Sequence, residues 1–162
     1  MRKILSISVA MIVALITQPA LATPDEIHKY PAGDGSDLTV HAFLPEKSTR
    51  SGKAAIFYFG GGWRVGSPEQ FFPFCMALKA RGIACFAPDY RVSSRQGTDP
   101  IDALHDAQSA YQWLVSKADE FSVDKSQIYV GGGSAGGHLA AAVTLLPNKS
   151  ITQAPAGMLL FN

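Results

Sequence analysis

Apolar residues in this chain gather in short runs that alternate with longer stretches of helical periodicity. Four runs are almost wholly apolar, as in strands covered on both faces, and they span residues 54–59, 83–87, 128–130 and 158–161. Residues 38–44 alternate only partly and are followed by Pro45, which predicts an edge or antiparallel strand. The pattern therefore predicts one sheet that is largely buried.

Three segments between these runs carry the signals of α-helices. Residues 68–81 start at Pro68 and stop before Gly82, and proline and glycine favour those two ends of a helix. A second helix opens at residues 99–100 and repeats apolar residues at helical spacing, and an alanine-rich helix spans residues 139–146. Buried strands alternating with helices predict an α/β fold with a mostly parallel sheet flanked by helices.

Composition narrows the class of protein without choosing a function. The chain has 162 residues, of which 47% are hydrophobic and 17% charged, and its formal net charge is +1. These values exclude a disordered chain, give no support to a nucleic-acid-binding surface and fit one domain. The four histidines and two cysteines show no zinc-ligand spacing, so we expect no metal.

Residues 1–22 have the three parts of a secretory signal peptide. A positively charged start precedes an apolar run over residues 4–16, and residues 20–22 form a small-x-small cleavage site. The run is shorter than the roughly 20 residues that span a bilayer, so we expect cleavage rather than an uncleaved anchor. The mature protein is then expected to begin at Thr23, to be secreted or periplasmic, and to have no membrane attachment.

The two cysteines, Cys75 and Cys85, are too few for a disulfide framework. Cys75 falls in the helix predicted over residues 68–81, and Cys85 falls in the strand that follows it. Helix and strand axes pack about 10 Å apart, farther than the Cα separation of a disulfide, so we expect two buried thiols. An oxidising compartment leaves a bridge between them as the alternative.

A glycine-rich turn after the strand predicted over residues 128–130 carries candidate chemistry. Residues 132–136 read Gly-Gly-Ser-Ala-Gly, which satisfies the G-x-S-x-G pattern between a strand and a helix. In that context Ser134 sits on a strained turn that exposes its hydroxyl as a nucleophile, with the Ala135 N–H beside it. The alternatives are a packing turn and a phosphate-binding loop, but no lysine follows as a Walker-type loop requires.

A second glycine-rich strand end supports the same chemistry. Residues 60–62 are all glycine and follow the strand predicted over residues 54–59. An acyl-transfer enzyme needs backbone N–H groups aimed at the oxyanion of its tetrahedral intermediate, and glycine lets the chain turn such donors inward. The alternative is a plain turn that ends the strand.

Three segments together resemble the α/β-hydrolase superfamily. They are residues 59–63 (FGGGW), residues 88–91 (PDYR) and residues 132–140 (GGSAGGHLA). Within the superfamily they are most similar to the hormone-sensitive-lipase-like and the acetyl-esterase or feruloyl-esterase-like carboxylesterases. The resemblance covers roughly residues 38–162 and implies the α/β-hydrolase fold.

The resemblance also implies roles for individual residues. It implies Ser134 as the nucleophile, no cofactor, and an oxyanion hole formed by Gly61, Gly62 and Ala135. The family usually has histidine where this chain has Phe59. That histidine braces the glycine loop, so Phe59 puts the geometry of the loop in question rather than the chemistry.

The base and acid of a serine hydrolase are not evident in the chain. In this fold the triad follows the order serine, acid, histidine, yet residues 135–162 hold no Asp or Glu. His138 lies one helical turn after Ser134 and is expected to pack or cap locally. The other candidates are expected to be structural, solvated or on helix faces: His28, His41, His105, Asp102 and Asp106, and Asp89 beside Arg91.

These observations predict that residues 23–162 are the N-terminal part of an α/β-hydrolase domain, truncated after the strand that follows the nucleophile helix and inactive alone. The leading hypothesis is an exported serine carboxylesterase acting on small acyl or acetyl esters, including polysaccharide-linked ones. The alternatives are a serine peptidase of the prolyl-oligopeptidase type and a non-catalytic or truncated hydrolase-like binding module. The sequence predicts no nucleic-acid partner and assigns no oligomeric state.

Overall fold

The computed structural model describes residues 22–146 and 148–161. Its six strands are β1 (Glu26–Pro31), β2 (Asp37–Phe43), β3 (Ala54–Tyr58), β4 (Ala84–Pro88), β5 (Ile128–Gly133) and β6 (Gly157–Phe161). Its α-helices are α1 (Phe72–Lys79), α2 (Ser93–Gln96), α3 (Pro100–Lys117) and α4 (Ala135–Leu145). The predicted signal peptide lies outside the described residues except for Ala22. No helix among the described residues is long and apolar enough to cross a membrane.

The six strands form one sheet in the order β1-β2-β4-β3-β5-β6. Strands β4, β3, β5 and β6 run parallel, whereas β1 and β2 are antiparallel to their neighbours. Every residue of β3 and β4 is buried, as the unbroken apolar runs predicted. The sheet is therefore mixed but mostly parallel, which confirms the predicted fold class.

Helices cover both faces of this sheet. Cys85 and Phe86 are successive residues of β4, so their side chains point to opposite faces. Cys85 is bonded to Cys75 of α1, whereas Phe86 contacts Trp113 of α3 with ring centroids 6.4 Å apart. Helix α4 packs beside α3. The sheet is thus a middle layer with α1 on one face and α3 and α4 on the other.

Cys75 and Cys85 form a disulfide, so the expectation of two buried thiols is wrong. Their Cα atoms are 5.0 Å apart, within the range that a disulfide spans. The expectation used the spacing between helix and strand axes. A Cα atom on the near side of a helix lies about 2.3 Å closer to the sheet than the axis does, and the pleat can raise a strand residue toward it.

Two helices begin at different residues than predicted, for reasons that lie in the local sequence. The segment predicted as one helix over residues 68–81 is a 3₁₀ turn (Pro68–Phe71) followed by α1. Pro73 has no N–H and its ring clashes with the carbonyl four residues earlier, so the α-helix starts only at Phe72. Helix α4 begins at Ala135, four residues before the prediction, because the glycines after Ser134 are already helical.

The two outer strands were the hardest to predict. Strand β1 was not predicted at all, because most of its side chains are polar and exposed. Strand β6 forms as predicted, but its side chains are not buried: Met158 to Phe161 are each 39–44% exposed. Among the described residues, no strand pairs with the outer edge of β6. Its apolar side chains are only partly exposed, and the Phe161 ring packs against those of Phe57, Phe71 and Phe74.

Candidate active site

Ser134 occupies a strained turn between β5 and α4. Its φ of 50° and ψ of −118° lie in a region that a residue with a Cβ adopts only when its surroundings enforce it. The surroundings do so through glycines: a Cβ added at Gly132 or Gly136 would collide with the backbone oxygen of Tyr58. Strand β5 and α4 thus pack directly on the backbone of β3. This packing leaves the Ser134 side chain exposed to solvent.

The glycine loop, residues 60–62, lies directly beside this turn. A Cβ built on Gly60 would stand 3.5 Å from the Cβ of Ser134 and 2.9 Å from the carbonyl oxygen of Gly133. The loop then reverses through two glycines with positive φ, 129° at Gly61 and 63° at Gly62. The two glycine-rich strand ends, far apart in sequence, therefore meet at one place.

Hydrogen bonds fix the orientation of the loop peptides. The carbonyl oxygen of Gly61 accepts bonds from the N–H groups of Arg64 and Val65, at 3.1 and 3.2 Å. In a trans peptide the N–H points opposite to the carbonyl, so the Gly62 N–H points away from these donors. The N–H of Ala135, the first residue of α4, has no acceptor within its helix. Both groups can donate to a ligand.

A ring stack and a hydrogen bond together hold Phe59 at the start of the glycine loop. Its ring lies nearly parallel to that of Tyr90, with centroids 4.0 Å apart, and both residues are fully buried. The Tyr90 hydroxyl donates a 2.7 Å hydrogen bond to the carbonyl oxygen of Phe59. Burial raises the pKa of Tyr90, so the hydroxyl keeps its proton as a donor. The start of the loop is therefore fixed although position 59 has no histidine.

Trp63 links the far end of the glycine loop to the nucleophile helix. It has a φ of 58°, and its ring meets that of His138 edge to face, with centroids 5.4 Å apart. The His138 N–H donates to the carbonyl oxygen of Ser134 at 3.0 Å. His138 therefore packs locally, as predicted. Its backbone, not its ring, is bonded to Ser134.

A cavity of about 610 Å³ opens beside Ser134. Its other walls are largely aromatic and aliphatic and come from the segment before and within α1, the end of β5 and the end of β6: Gln70, Phe71, Phe74, Gly133, Leu160 and Phe161. The Phe161 ring contacts those of Phe71 and Phe74, at centroid distances of 6.1 and 5.3 Å. The sequence motifs did not indicate this wall, although the phenylalanines clustered over residues 71–74 were a usable signal.

Gln70 is a further site residue that the sequence did not indicate. Its side-chain oxygen accepts a hydrogen bond from the Gly60 N–H. It therefore fixes the first peptide of the glycine loop while lining the cavity. Nothing in the pattern around a lone glutamine distinguishes it from a surface residue.

The charged residues that follow β4 form ion pairs. Arg95 binds the Asp89 carboxylate through two nitrogens, at 2.7 and 2.6 Å. Arg91 pairs instead with Asp106, which is fully buried. The expectation that Asp89 stands with Arg91 is therefore wrong, because the side chain of Arg91 turns toward α3.

The described residues supply no partner for the Ser134 hydroxyl. None of the hydrogen bonds in this part of the chain joins it to an imidazole or a carboxylate, and none of His28, His41 and His105 lines the cavity beside it. Residues 22–146 and 148–161 also hold no cluster of His, Cys, Asp and Glu that could bind a metal ion. The described site thus combines an exposed serine, free backbone donors and an apolar wall.

Comparison with known proteins places this arrangement in a family. Residues 40–158 match the model of the BD-FAE family. The chain is 33% identical to Lipase 2 of Moraxella sp. (strain TA144), covering 76% of this chain and 31% of that protein. It is also 33% identical to the ethyl acetate hydrolase of Pseudomonas putida, covering 74% of this chain and 37% of that protein.

A solved structure agrees in fold over the same region. It is the propionate-bound form of the esterase Est2 of Thermogutta terrifontis, at a TM-score of 0.79 and 37% identity. The match covers 89% of this chain and 56% of that esterase, so the chain spans little more than half of it. The family match and these relatives show that the chain belongs to the BD-FAE family of α/β-hydrolase esterases.

Proposed function

We propose that this protein is a serine carboxylesterase with Ser134 as its nucleophile. The observation that carries the proposal is the approach of Gly60 to Ser134, which sets the glycine loop beside an exposed serine on a strained turn. Acyl transfer needs those two features together, a nucleophile and oriented backbone donors. A packing turn would need neither an exposed serine nor free donors next to it.

In the proposed reaction the Ser134 oxygen attacks the ester carbonyl carbon and loses its proton to a general base. The carbonyl oxygen becomes an oxyanion and accepts hydrogen bonds from Gly61, Gly62 and Ala135. Collapse of the intermediate breaks the bond to the alcohol, which leaves with the proton from the base. Water then attacks the acyl-serine by the same route. Each oxyanion donor contributes about 10²–10³-fold to the rate in comparable enzymes.

The base and its acid partner are proposed to lie outside the described residues. In this fold they follow the nucleophile in the order acid, then histidine. His138 does not fit the role, because its ring packs against Trp63. The protein to be tested is therefore the one expressed from the complete reading frame.

The apolar wall supports small, uncharged acyl esters as substrates. Phe71, Phe74 and Phe161 offer a surface for the apolar part of an ester, and no described residue that lines the cavity is charged. Acetyl and other small acyl groups on a polysaccharide are included in the proposal.

The test compares ester and amide substrates with the wild-type protein and a Ser134→Ala variant. We expect hydrolysis of p-nitrophenyl acetate and butyrate, lowered by roughly 10⁴-fold or more in the variant. A fluorophosphonate probe should label the wild type and not the variant. Faster cleavage of an Xaa-Pro amide than of the esters would favour the peptidase instead. Folded wild-type protein that neither hydrolyses esters nor takes up the probe would indicate a binding module.

We also propose that the protein acts outside the cytoplasm. The Cys75–Cys85 disulfide supports this, because disulfides persist mainly in oxidising compartments. The test is expression in a bacterial host with sequencing of the N-terminus of the exported protein. The mature chain should start at Thr23. Protein that stays in the cytoplasm with Met1 intact would contradict export.

A further inference from the structure

A second concave surface runs along α3, between the turn after β1 and the segment after α4. We call it the α3 groove; it has a volume of about 520 Å³, within the range of sites that hold small-molecule ligands. It shares no residue with the cavity beside Ser134. Ser134 precedes α4 and Asn148 of the groove follows it, so about 16 Å of helix rise separates them. Its polar and aromatic lining includes Gln108, Ser109, Gln112, Trp113, Ser116 and Asn148.

The polar groups of the α3 groove are uncharged. Its described lining has amides and hydroxyls, and the imidazole of His105 is its one ionisable side chain. A phosphate or carboxylate ligand would find no lysine or arginine there, and a cationic ligand would find no carboxylate. The lining therefore favours a neutral ligand.

The side-chain amides of the groove have their oxygen atoms bonded within the protein. The side-chain oxygen of Gln112 accepts a 3.0 Å hydrogen bond from the Thr152 N–H, and that of Asn148 accepts a 2.8 Å bond from the Ser150 N–H. The side-chain oxygen of Gln108, which is 8% exposed, accepts a 2.6 Å bond from Asn148. One N–H of Asn148 is used in the bond to Gln108, and one of Gln112 donates to the Thr152 hydroxyl at 3.2 Å. With the three amide oxygens also engaged, the groups left for a ligand are the remaining N–H groups. A ligand rich in acceptor oxygens fits them.

Trp113 adds a fixed, half-buried aromatic surface. Its ring is held by His28, Phe121 and Phe86, at centroid distances of 5.6, 5.9 and 6.4 Å. A side chain held in this way loses little freedom when a ligand packs on it. Its apolar surface requires a ligand that has an apolar face as well as its oxygens.

We propose that the α3 groove binds a neutral oligosaccharide. A sugar ring is uncharged, carries many hydroxyl and ether oxygens, and presents a face of C–H groups that can pack on an aromatic ring. The proposal does not depend on Ser134, and it would let the protein hold a glycan chain at a place away from the cavity. Two linked sites raise the local concentration of substrate at the second.

The test is calorimetric titration of the protein from the complete reading frame with xylohexaose, cellohexaose and mannohexaose. At least one should bind with one site per chain. Trp113→Ala is expected to weaken that binding by roughly tenfold or more. A Gln112→Ala/Asn148→Ala double variant, which removes only polar groups, should do the same and covers the case in which Trp113→Ala does not fold.

Two control variants distinguish binding in the α3 groove from binding elsewhere on the protein. Gln127→Ala removes a similar side chain that does not line the groove and should leave binding unchanged. Ser134→Ala should bind the oligosaccharide as the wild type does, whatever its esterase activity. The proposal is overturned if none of the three sugars binds, if the Gln112→Ala/Asn148→Ala variant binds normally, or if Ser134→Ala loses binding. Preferential binding of heparin or of a proline-rich peptide to the groove would also overturn it.

Discussion

Single residues in this site are fixed by backbone contacts more than by side-chain chemistry. Ser134 holds a φ of 50° only because Gly132 and Gly136 let two strands and a helix approach without a Cβ between them. Phe59, at the start of the glycine loop, is also fixed through its packing and its backbone. Its buried stack on Tyr90 and the hydrogen bond from the Tyr90 hydroxyl to its carbonyl oxygen hold the start of the loop.

Removing the Tyr90 hydroxyl should loosen the glycine loop. In Tyr90→Phe the carbonyl oxygen of Phe59 loses its buried donor, at a cost of about 1–3 kcal/mol in unfolding free energy. Esterase activity should fall as the oxyanion donors lose their orientation. Tyr111→Phe is the matched control, because the buried Tyr111 hydroxyl has no partner among the described residues and its loss should be nearly neutral. Urea unfolding and kcat/KM of both variants measure the difference; equal effects would contradict the role of Tyr90.

His41 should make the fold less stable at mildly acidic pH. Burial against Phe72 lowers the pKa of His41, and the carboxylates of Glu69 and Asp89 oppose this only in part. The unfolded chain, with an ordinary histidine pKa of about 6.5, then binds a proton more readily than the folded one. The contribution of neutral His41 to the free energy of unfolding is therefore complete above about pH 6.5. It is lost as the pH falls from there toward the lower pKa of His41 in the folded state.

The measurement is the urea midpoint between pH 7.5 and 5.5. It should fall more steeply in the wild type than in His41→Gln, which cannot titrate. Identical slopes in the two proteins would show that His41 does not contribute.

At the scale of elements, α1 and β4 are joined covalently as well as by packing. The Cys75–Cys85 bond closes a short loop that contains the Gly82 turn. Loop-closure entropy predicts a stabilisation of about 2–3 kcal/mol for a loop of this size. A Cys75→Ala/Cys85→Ala variant should lose this amount in urea unfolding. Dithiothreitol should lower the midpoint of the wild type and leave the variant unchanged; a wild type insensitive to reduction would argue against the bond in solution.

The strands and helices whose own sequence carries a clear pattern could be predicted. Those that are defined by contacts with distant segments could not. Strands β3 and β4 are apolar throughout because both faces are covered, and α3 carries its own start signal, a capping box between Asp99 and Asp102. Strand β1 has no such pattern. In the site, Ser134 and the glycine loop were evident from motifs, whereas Gln70 and the Phe161 wall are defined only by folding.

For the whole molecule, one buried ion cluster connects segments far apart in the chain. Arg91, after β4, donates to both oxygens of Asp106 on α3 at 2.8 and 2.9 Å, and to Asp34 in the turn after β1. Asp106 also accepts from the Gly33 N–H at 2.8 Å. These bonds raise the pKa of Arg91. The cluster therefore fastens the antiparallel edge of the sheet to its helical layer.

Breaking this cluster at Asp106 should be costly, because the Arg91 guanidinium then loses its one fully buried carboxylate and keeps only the more exposed Asp34 and Asp102. Asp106→Asn is expected to lower the unfolding free energy by about 3–5 kcal/mol. The matched control is Asp102→Asn, since Asp102 is partly exposed and stands 4.0 Å from Arg91; its effect should stay below about 1 kcal/mol. Thermal and urea unfolding of both variants test this, and comparable losses would contradict the distinction between them.

Ser134 is bonded to β6 through its own main chain. The Ser134 N–H donates a 2.9 Å hydrogen bond to the carbonyl oxygen of Phe161, at the end of that strand. Phe161 also lines the cavity beside the serine. A substitution that displaces the end of β6 will therefore change the cavity wall and the position of the nucleophile together.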